Sequence, residues 1–556
     1  MDRTIEEVIK VEQADEKAVL VELEEYIPTD YLREQYARVY EEIASGPSSP
    51  REGIGIWVSG FFGSGKSLFA KILGYTVAAR KVGAKTASEL FKAKLEDPKI
   101  AALLDSITTR VPFRAVIFDV SMDRGVRLAN ERLTEIIYKA LLRELDYAED
   151  FDLAELEITL EGDGKLDAFL KMFKQLHGQP WEKRRHLGLA LNEASAALHG
   201  LDSKTYPTAD SYVNSVGRGR ADIDPNKLAR RAFELTARRL PDHALIFIID
   251  EVGQYVSRSI DKMLDLMGIV QAIGVESKNR VEHKQAPSPC WIIVTSQEKL
   301  DEVVNALDSK KIELARLLDR FRVTVDLKQS DIAEITARRV LEKKADAKKV
   351  LGELYDQNEG RLKQFASLER TSRDTTITRD PFIRLYPYVP YQIELSVDIV
   401  AGLRLRRGAH RHVGGSNRTI IKQAQELMIN PRTRLAEADI GALVTLDKVY
   451  ELLYLGNLLP SEVSREVGEV ARNLPGQHMA LKVAKAIALL EPVKDLPRTA
   501  HNLAAVLYPA VASGSILAEV EQAIVALEKA QVIRNSEEGY KLLTVQEKTW
   551  DTRRNG

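Results

Sequence analysis

Two kinds of apolar pattern occur along the chain, and they predict two kinds of secondary structure. Runs typical of strands are IGIWVS at 54–59, RAVIFDVS at 114–121, HALIFIIDE at 243–251, CWIIVTSQ at 290–297 and the end of LARLLDRFRVTVDL at 314–327. Consecutive apolar residues favour a parallel sheet that is buried on both faces. Most other segments repeat apolar residues at helical spacing, so the pattern predicts an α/β fold with large helical additions.

The pattern predicts two structural segments in the first half of the chain. Residues 1–45 begin with VIKVEQADEKAVLVEL, whose alternation indicates a strand pair, and continue with a helix over YLREQYARVYEEI. Residues 46–327 are expected to form the core, which holds the parallel sheet and carries helical insertions at about 122–243.

The pattern predicts three mainly helical segments in the second half of the chain. We expect a lid over 328–430, with a proline-broken loop at 371–390, and a connector over 431–480. Residues 481–556 are expected to form a winged-helix-like module. It consists of helices at 483–493, 499–509 and 516–531 and a hairpin at 532–544.

Composition narrows the classes of protein. The 556 residues include 80 Lys and Arg against 82 Asp and Glu, so no overall charge attracts the chain to nucleic acid or membrane. The single cysteine, Cys290, excludes internal disulfides and cysteine metal clusters and is expected to be a small buried side chain. No apolar run reaches the roughly 18 residues of a membrane span, and the N-terminus lacks a signal-peptide core. We therefore expect a cytoplasmic protein.

The stretch GFFGSGKS at 60–67 matches the phosphate-loop pattern G-x-x-x-x-G-K-[ST], between a predicted strand and a predicted helix. Its glycines allow backbone N–H groups to turn toward phosphate oxygens. Lys66 is expected to bind the β- and γ-phosphates, and Ser67 to bind Mg²⁺ at the helix N-terminus. The predicted ATP-binding residues are Gly60, Gly63, Ser64, Gly65, Lys66 and Ser67.

Two adjacent carboxylates end the run HALIFIIDE. Asp250 is expected to hold Mg²⁺, through water, and Glu251 to orient or deprotonate the attacking water. Such a pair downstream of a phosphate loop is typical of the additional-strand ATPases. Asp119 and Ser121 end another strand, at the edge where parallel sheets bind ligands. No LSGGQ-like signature lies between 67 and 250, which disfavours an ABC-type ATPase.

Together, GFFGSGKS, IIDE, VTSQ, DRF and GGSNR, with the winged-helix-like module, resemble the AAA+ ATPases nearest the origin-recognition and loader proteins. The resemblance implies a γ-phosphate sensor at the end of VTSQ, where Ser296 and Gln297 are both favoured over Thr295. It implies that Arg320, or failing that Arg322, acts on a neighbouring subunit's nucleotide in a nucleotide-dependent homo-oligomer; pairing with a surface carboxylate is the alternative. It also implies that Arg418, in the lid, contacts the γ-phosphate.

A narrower resemblance rests on the N-terminal segment, on GIWVSGFFGSGKSLFAKIL and on HVGGSNRTIIK. These are similar to the P-loop protein family of BREX phage-defence systems, called BrxC or PglY. The family implies a bacterial ATPase that acts with a methyltransferase, a phosphatase-like protein and other BREX components against unmethylated phage DNA. Its members are longer than this chain, so we expect the natural chain to continue beyond residue 556.

Direct DNA contact would require a local basic patch. The candidates are Arg404, Arg406, Arg407, His410, Arg411 and His412, and a second arginine-rich stretch at 216–239. A solvated surface is the alternative for each. The third helix of the winged-helix-like module carries Glu519, Glu521 and Glu528, which oppose DNA binding, so we expect a protein-contact or spacer role for that module.

Two other functions fit the same motifs. One is an origin-recognition or loader ATPase, which should carry a basic third helix in its winged-helix module. The other is a nucleotide-gated scaffold that binds ATP and turns it over slowly, because Glu251 predicts hydrolysis but does not set its rate.

Overall fold

The computed structural model describes residues 16–60, 64–120, 131–216, 222–256, 259–305, 319–327, 330–405, 417–544 and Glu547. The chain divides into two compact units. The first unit is Lys10–Gly60 with Lys66–Leu327, and the second is Lys328–Gly556 with Met1–Ile9 and Phe61–Gly65. No helix among the described residues is both long enough and apolar enough to cross a membrane.

A five-stranded parallel sheet forms the centre of the first unit. Its strands are β1 (Gly55–Gly60), β4 (Phe113–Asp119), β5 (Ala244–Asp250), β6 (Trp291–Ser296) and β7 (Val323–Leu327). Their order in the sheet is β4-β5-β6-β1-β7, and a separate antiparallel hairpin joins β2 (Lys81–Val82) to β3 (Lys85–Thr86). Every residue of β1, β5 and β6 is buried, as their unbroken apolar sequences predicted. The α/β fold class and the parallel sheet are therefore confirmed.

Helices cover both faces of this sheet and build the insertion. They are α1 (Glu16–Glu25), α2 (Asp30–Ser45), α3 (Lys66–Val77), α4 (Ala87–Leu95), α5 (Pro98–Arg110), α6 (Leu133–Glu144), α7 (Phe151–Gly162), α8 (Leu166–His177), α9 (Trp181–Arg184), α10 (Ala190–Leu201), α11 (Ser211–Ser215), α12 (Pro225–Arg239), α13 (Val252–Val256), α14 (Ile260–Glu282) and α15 (Leu300–Asn305). Cys290 is buried and free, as expected. Burial raises the pKa of its thiol, which keeps it in the neutral form.

The strand pair predicted near the N-terminus is wrong for residues 16–25, which form α1. The alternation that suggested a strand coincides with helical spacing, because Val19, Leu23 and Tyr26 recur four and three residues apart. All three are buried in the hydrophobic core of the first unit. Residues 8–15 of the predicted pair lie outside the described residues, whereas the predicted second helix is observed as α2.

The insertion is helical, as predicted, and has a small hydrophobic core of its own. Phe169, Phe173 and Trp181 lie at its centre, with ring centroids 4.9–5.9 Å apart. The carboxylate of Glu157 is buried beside them and accepts hydrogen bonds from the Trp181 indole and from Arg185. Burial raises the pKa of Glu157 in spite of these donors.

The arginines of α12 join it to α7, another helix of the insertion. Arg231 pairs with Glu155 at 2.7 Å, and Arg239 pairs with Glu161 at 2.8 Å. Arg238 donates to a backbone carbonyl of α7 at 3.1 Å. The arginine-rich pattern thus has a structural use that neither sequence-based alternative anticipated, and these three side chains are engaged within the protein. Arg218 and Arg220, from the same stretch, lie outside the described residues.

The second unit is built from helices with one terminal hairpin. They are α16 (Ser330–Arg339), α17 (Ala345–Phe365), α18 (Arg379–Leu385), α19 (Gln392–Leu405), α20 (Asn417–Ile429), a 3₁₀ turn (Leu435–Glu437), α21 (Leu446–Leu455), α22 (Ser461–Asn473), α23 (His478–Leu490), α24 (Ala500–Val506) and α25 (Leu517–Lys529), followed by β8 (Ile533–Ser536) and β9 (Gly539–Leu542). A single hydrophobic core extends from Ile332 to Leu542. The segments predicted as lid, connector and terminal module therefore share one core.

The loop predicted at 371–390 is interrupted by α18. Pro381 lies in the first turn of this helix, where a missing backbone N–H removes no intrahelical hydrogen bond. Pro387 and Pro390 follow the end of the helix. Proline spacing alone therefore overestimated the loop.

The last five elements occur in the predicted order of three helices and a hairpin. An isolated parallel bridge between Arg498 and Gly539 joins the two-stranded hairpin to the segment before α24. The Arg498 side chain is buried and donates to the carbonyl of Tyr540 at 2.7 Å, which fixes the hairpin on the helices. Glu521 and Glu528 are exposed on α25, so the acidic surface anticipated for the third helix is present.

We expect Asn502→Ala to destabilise the second unit by about 2–4 kcal/mol, because a buried amide would lose three hydrogen bonds. Its Oδ1 accepts from the N–H of Glu369 at 2.8 Å, and its Nδ2 donates to the carbonyls of Glu369 and Pro497. Urea unfolding followed by circular dichroism measures the change, with Gln522→Ala on the exposed face of α25 as the control. Equal midpoints for the two variants would contradict the assignment.

Candidate functional site

The register of the sheet brings the chemically important strand ends to one edge. Ser59 of β1 is the partner of Ser296 in β6, and Asp119 of β4 is the partner of Asp250 in β5. Because all five strands are parallel, their carboxyl ends lie at the same edge. The end of β1, where the phosphate-loop motif begins, is therefore at the same edge as the end of the acidic strand β5, and only β6 separates the two strands.

The connection from β1 to α3 has backbone conformations that favour glycine. Gly60 has φ +152° and Gly65 has φ +91°. Lys66 and Ser67 form the first turn of α3, as predicted. Ser64 is buried, and residues 61–63, with the predicted Gly63, lie outside the described residues.

Lys66 is nearly buried, with 4% of its surface exposed. Its Nζ donates to the carbonyl oxygen of Gly60 at 2.9 Å, which closes the two ends of the loop. Burial lowers the pKa of Lys66, and the nearby carboxylates of Glu251 and Asp250 oppose that shift. The lysine and the acidic pair thus interact electrostatically at the carboxyl edge of the sheet.

Thr295 connects the two acidic residues. Its hydroxyl donates to Oδ1 of Asp250 and accepts from the backbone N–H of Glu251 at 2.9 Å. Asp250 is 4% exposed and Thr295 is fully buried. A single hydroxyl in β6 therefore fixes the carboxylate at the end of β5 and the backbone of the residue that follows it.

Glu251 has an unusual backbone and an unusual ionisation. Its φ of +59° lies in the left-handed region, which is uncommon for a residue with a side chain and occurs often at functional sites. Burial raises its pKa to about 7, with a further contribution from Asp250 and an opposing one from Lys66. Its Oε2 is buried and accepts no hydrogen bond from the described part of the chain. This oxygen is therefore a buried acceptor that the described residues leave unsatisfied.

The other two residues at the end of β6 have different surroundings. The Ser296 hydroxyl accepts from the N–H of Glu298 at 3.1 Å. Ser296 also lies against Gly253, where an added Cβ would come within 1.9 Å of the serine oxygen. Gln297 is half-buried. Sequence reasoning favoured Ser296 or Gln297 as the γ-phosphate sensor and passed over Thr295, because only the strand register reveals which side chain meets the carboxylates.

Arg320 lies just before β7, which places it at the amino edge of the sheet, opposite Lys66. Its guanidinium pairs with Glu52 at 2.6 Å, and the Arg322 guanidinium lies 3.6 Å from Glu42. The pairing with a surface carboxylate that sequence reasoning left open is therefore present. The predicted action of Arg320 on a neighbouring subunit stays a prediction.

The remaining predicted site residues belong to the second unit. Arg418 lies in the first turn of α20, and Arg404 lies in the last turn of α19. The positions of their side chains are outside the described structure, as are residues 406–416 with the predicted Arg406, Arg407, His410, Arg411 and His412.

The donors at the carboxyl edge fit a magnesium ion that is held mainly by phosphate and water. The described residues contain no group of three or more His, Cys, Asp or Glu side chains that could hold a metal ion alone. Mg²⁺ commonly keeps several waters and uses one or two protein oxygens beside substrate phosphates. The Ser67 hydroxyl and the Asp250 carboxylate are oxygen donors of that kind.

No known protein-family profile matches this sequence. Its class is therefore defined by the fold and by the geometry of the site. The first unit is an α/β domain whose parallel sheet and strand–loop–helix connection are compatible with a P-loop-like core.

Replacing Thr295 by valine should destabilise the first unit by about 1–3 kcal/mol for each polar group left buried without a partner. Valine preserves the shape of threonine but removes the hydroxyl that joins Asp250 to the backbone of Glu251. Thr324→Val, at an exposed position of β7, is the matched control. Thermal unfolding of both variants measures the difference. If Thr295→Val unfolds at the temperature of the control, the hydroxyl does not stabilise the acidic pair.

Proposed function

We propose that this protein is a magnesium-dependent AAA+ ATPase of a bacterial BREX anti-phage defence system. It uses ATP binding and hydrolysis to assemble or remodel a defence complex on DNA. The observation that carries the ATPase part is the convergence of Lys66 with Asp250 and Glu251 at one edge of the sheet. A phosphate-binding lysine and an acidic pair in this arrangement suit phosphoryl transfer to water.

The sheet order supports the additional-strand class. β6 lies between the phosphate-loop strand β1 and the acidic strand β5. The extra strand supplies Thr295, which holds the acidic residues in place. The helical second unit, with its three helices and hairpin, is compatible with a lid followed by a winged-helix-like module.

Each residue of the site has a defined task in this proposal. Lys66 binds the β- and γ-phosphates, and the N–H groups at the start of α3 add positive potential. Ser67 and Asp250 would hold Mg²⁺, which supplies charge neutralisation to the phosphates when bound. The carboxylate of Glu251 accepts a proton from the attacking water, and its buried Oε2 provides the acceptor.

The assignment to BREX defence rests on the resemblance of the N-terminal segment, the phosphate-loop region and HVGGSNRTIIK to that family. The proposal includes a cytoplasmic location and assembly with a methyltransferase and a phosphatase-like protein. DNA contact is assigned to the basic segment that contains Arg404, Arg406 and Arg407. The acidic surface of α25 disfavours DNA binding by the last three helices, and it also disfavours an origin-recognition or loader protein.

A nucleotide-gated scaffold with slow turnover is the second candidate. The observation that favours it is the raised pKa of Glu251, because with a pKa of about 7 only part of the protein carries the ionised carboxylate near neutral pH. The two candidates agree on ATP binding and differ in the rate of hydrolysis.

Glu251→Gln should bind ATP with an affinity close to that of the wild type and hydrolyse it at least about a hundredfold more slowly, since only the proton acceptor is removed. Lys66→Ala should lose ATP binding altogether. Fluorescent-nucleotide titration measures the ATP affinity of both variants, and phosphate release under saturating ATP measures the hydrolysis rate of Glu251→Gln. Equal hydrolysis by wild type and Glu251→Gln would remove Glu251 from the catalytic role.

Arg320→Ala should abolish hydrolysis in an assembly while leaving ATP binding in each subunit intact, because the guanidinium would act on the neighbour's nucleotide. Mixing Arg320→Ala subunits with Lys66→Ala subunits should restore part of the activity at mixed interfaces. Arg114→Ala is the matched control, since Arg114 lies at the same edge of the sheet, near the start of β4, and also pairs with a surface carboxylate, that of Glu144. Wild-type hydrolysis by Arg320→Ala, with no nucleotide-dependent oligomer in light scattering, would contradict this role.

A further inference from the structure

A buried ion pair joins the N-terminal helix to the helix that begins with Lys66. Oε1 of Glu22, in α1, lies 2.7 Å from Nζ of Lys71, in α3. The lysine side chain is 1% exposed and the glutamate side chain is 9% exposed. The hydroxyl of Tyr75 donates to the other carboxylate oxygen at 3.4 Å. Buried charged side chains are rare in proteins, and they are almost always paired when they occur.

The ion pair is one helical turn from the candidate phosphate site. Lys71 follows Ser67 by four residues, and Tyr75 follows Lys71 by four, so the three side chains lie along one face of α3. Because a single helical turn connects these residues, a displacement of Lys71 would also displace Ser67 and the adjacent Lys66.

The other described contacts of α3 include apolar packing and two hydrogen bonds with α2, one of which runs from the Tyr36 hydroxyl to the carbonyl of Phe69 at 3.2 Å, near the first turn. Gly74 allows close apolar packing, because an added Cβ would lie 2.9 Å from Cγ1 of Ile248. Apolar packing is non-directional and does not by itself set a unique register. The hydroxyl of Tyr40 lies 2.6 Å from the Thr76 hydroxyl, near the far end of the helix.

Glu22 is itself held in place by contacts at both ends of α1. Lys94 donates to the carbonyl oxygens of Leu23, at 2.9 Å, and of Glu24. At the other end, the carboxylate of Glu16 accepts from the backbone N–H of Gly83 at 3.3 Å. The helix that carries Glu22 is therefore held at both ends, and its carboxylate can fix the position of Lys71 in α3.

We propose that Glu22 is a positioning residue of the nucleotide site, which acts through Lys71 to set the place of the first turn of α3. The inference rests on the proposed ATPase function. A buried ion pair adds little net stability, and replacing both partners by apolar residues is often neutral or stabilising. The charged pair fixes the distance and the direction between Glu22 and Lys71, and so the position of α3 relative to α1. That position matters because a displacement of about 1 Å at a catalytic site can lower the rate on the order of a hundredfold.

The test is the double variant Glu22→Leu/Lys71→Met, which replaces the ion pair by apolar side chains of similar size. We expect the unfolding midpoint in urea to be unchanged or higher, while ATP affinity or kcat/KM falls by about tenfold to a hundredfold. Tyr40→Phe is the control, because it removes a buried contact near the far end of α3. It should leave ATP affinity unchanged even if it lowers the midpoint.

If the ion pair had a purely structural role, ATP affinity would change only when the unfolding midpoint changes. A double variant that keeps the wild-type midpoint and the wild-type ATP affinity would therefore overturn the proposal. If the double variant does not fold, Glu22→Asp keeps the charge and shortens the side chain by one methylene. A several-fold loss of ATP affinity with a wild-type midpoint is then expected, and unchanged affinity would overturn the proposal.

Hydrogen exchange separates this inference from the proposed function. In the nucleotide-free protein, the amides of residues 70–72 in α3, whose intrahelical acceptors are the carbonyls of the first turn, should exchange faster in the double variant than in the wild type or in Tyr40→Phe. If the wild-type protein binds no ATP, the proposed function is overturned, and the exchange rates alone decide the role of Glu22. Equal exchange in all three proteins would overturn that role.

Discussion

Parallel alignment of β1, β5 and β6 is the constraint on which the candidate site depends. It places residues from distant parts of the chain at one edge, and the Thr295 hydroxyl then holds the end of β5 by two hydrogen bonds. Without β6 between the other two strands, the acidic pair would have no donor of this kind. The additional strand therefore contributes the side chain that fixes Asp250 and the backbone of Glu251.

Burial determines how the charged side chains at this edge ionise. Lys66 and Asp250 are nearly inaccessible, and burial raises the pKa of Glu251 to about 7. In a site of low dielectric constant, each charge strongly affects the ionisation of its neighbours. The positive lysine favours the ionised glutamate, and the adjacent aspartate opposes it. Added positive charge near Glu251 would therefore favour its basic form.

Much of the fold and part of the site could be predicted from the sequence. Strands such as β5 were evident because a fully buried strand is apolar throughout, and Lys66 was evident from a motif whose spacing is local. Thr295 was missed because its role depends on the register between strands that are 45 residues apart in sequence. The α1 helix was missed because its apolar spacing also fits a strand. The arginines of α12 bind carboxylates of another helix, a contact that no local pattern encodes.

A polar chain also joins the start of the phosphate loop to the end of the first unit. The hydroxyl of Ser59, which precedes Gly60, donates to Oδ1 of Asp326 at 2.7 Å. The other oxygen of Asp326 lies 2.7 Å from Nζ of Lys299, and its backbone carbonyl accepts from the hydroxyl of Tyr31 at 2.6 Å. Asp326 is two residues before the point where the chain enters the second unit. A change in the backbone at the start of the loop would therefore act directly on the strand that leads into that unit.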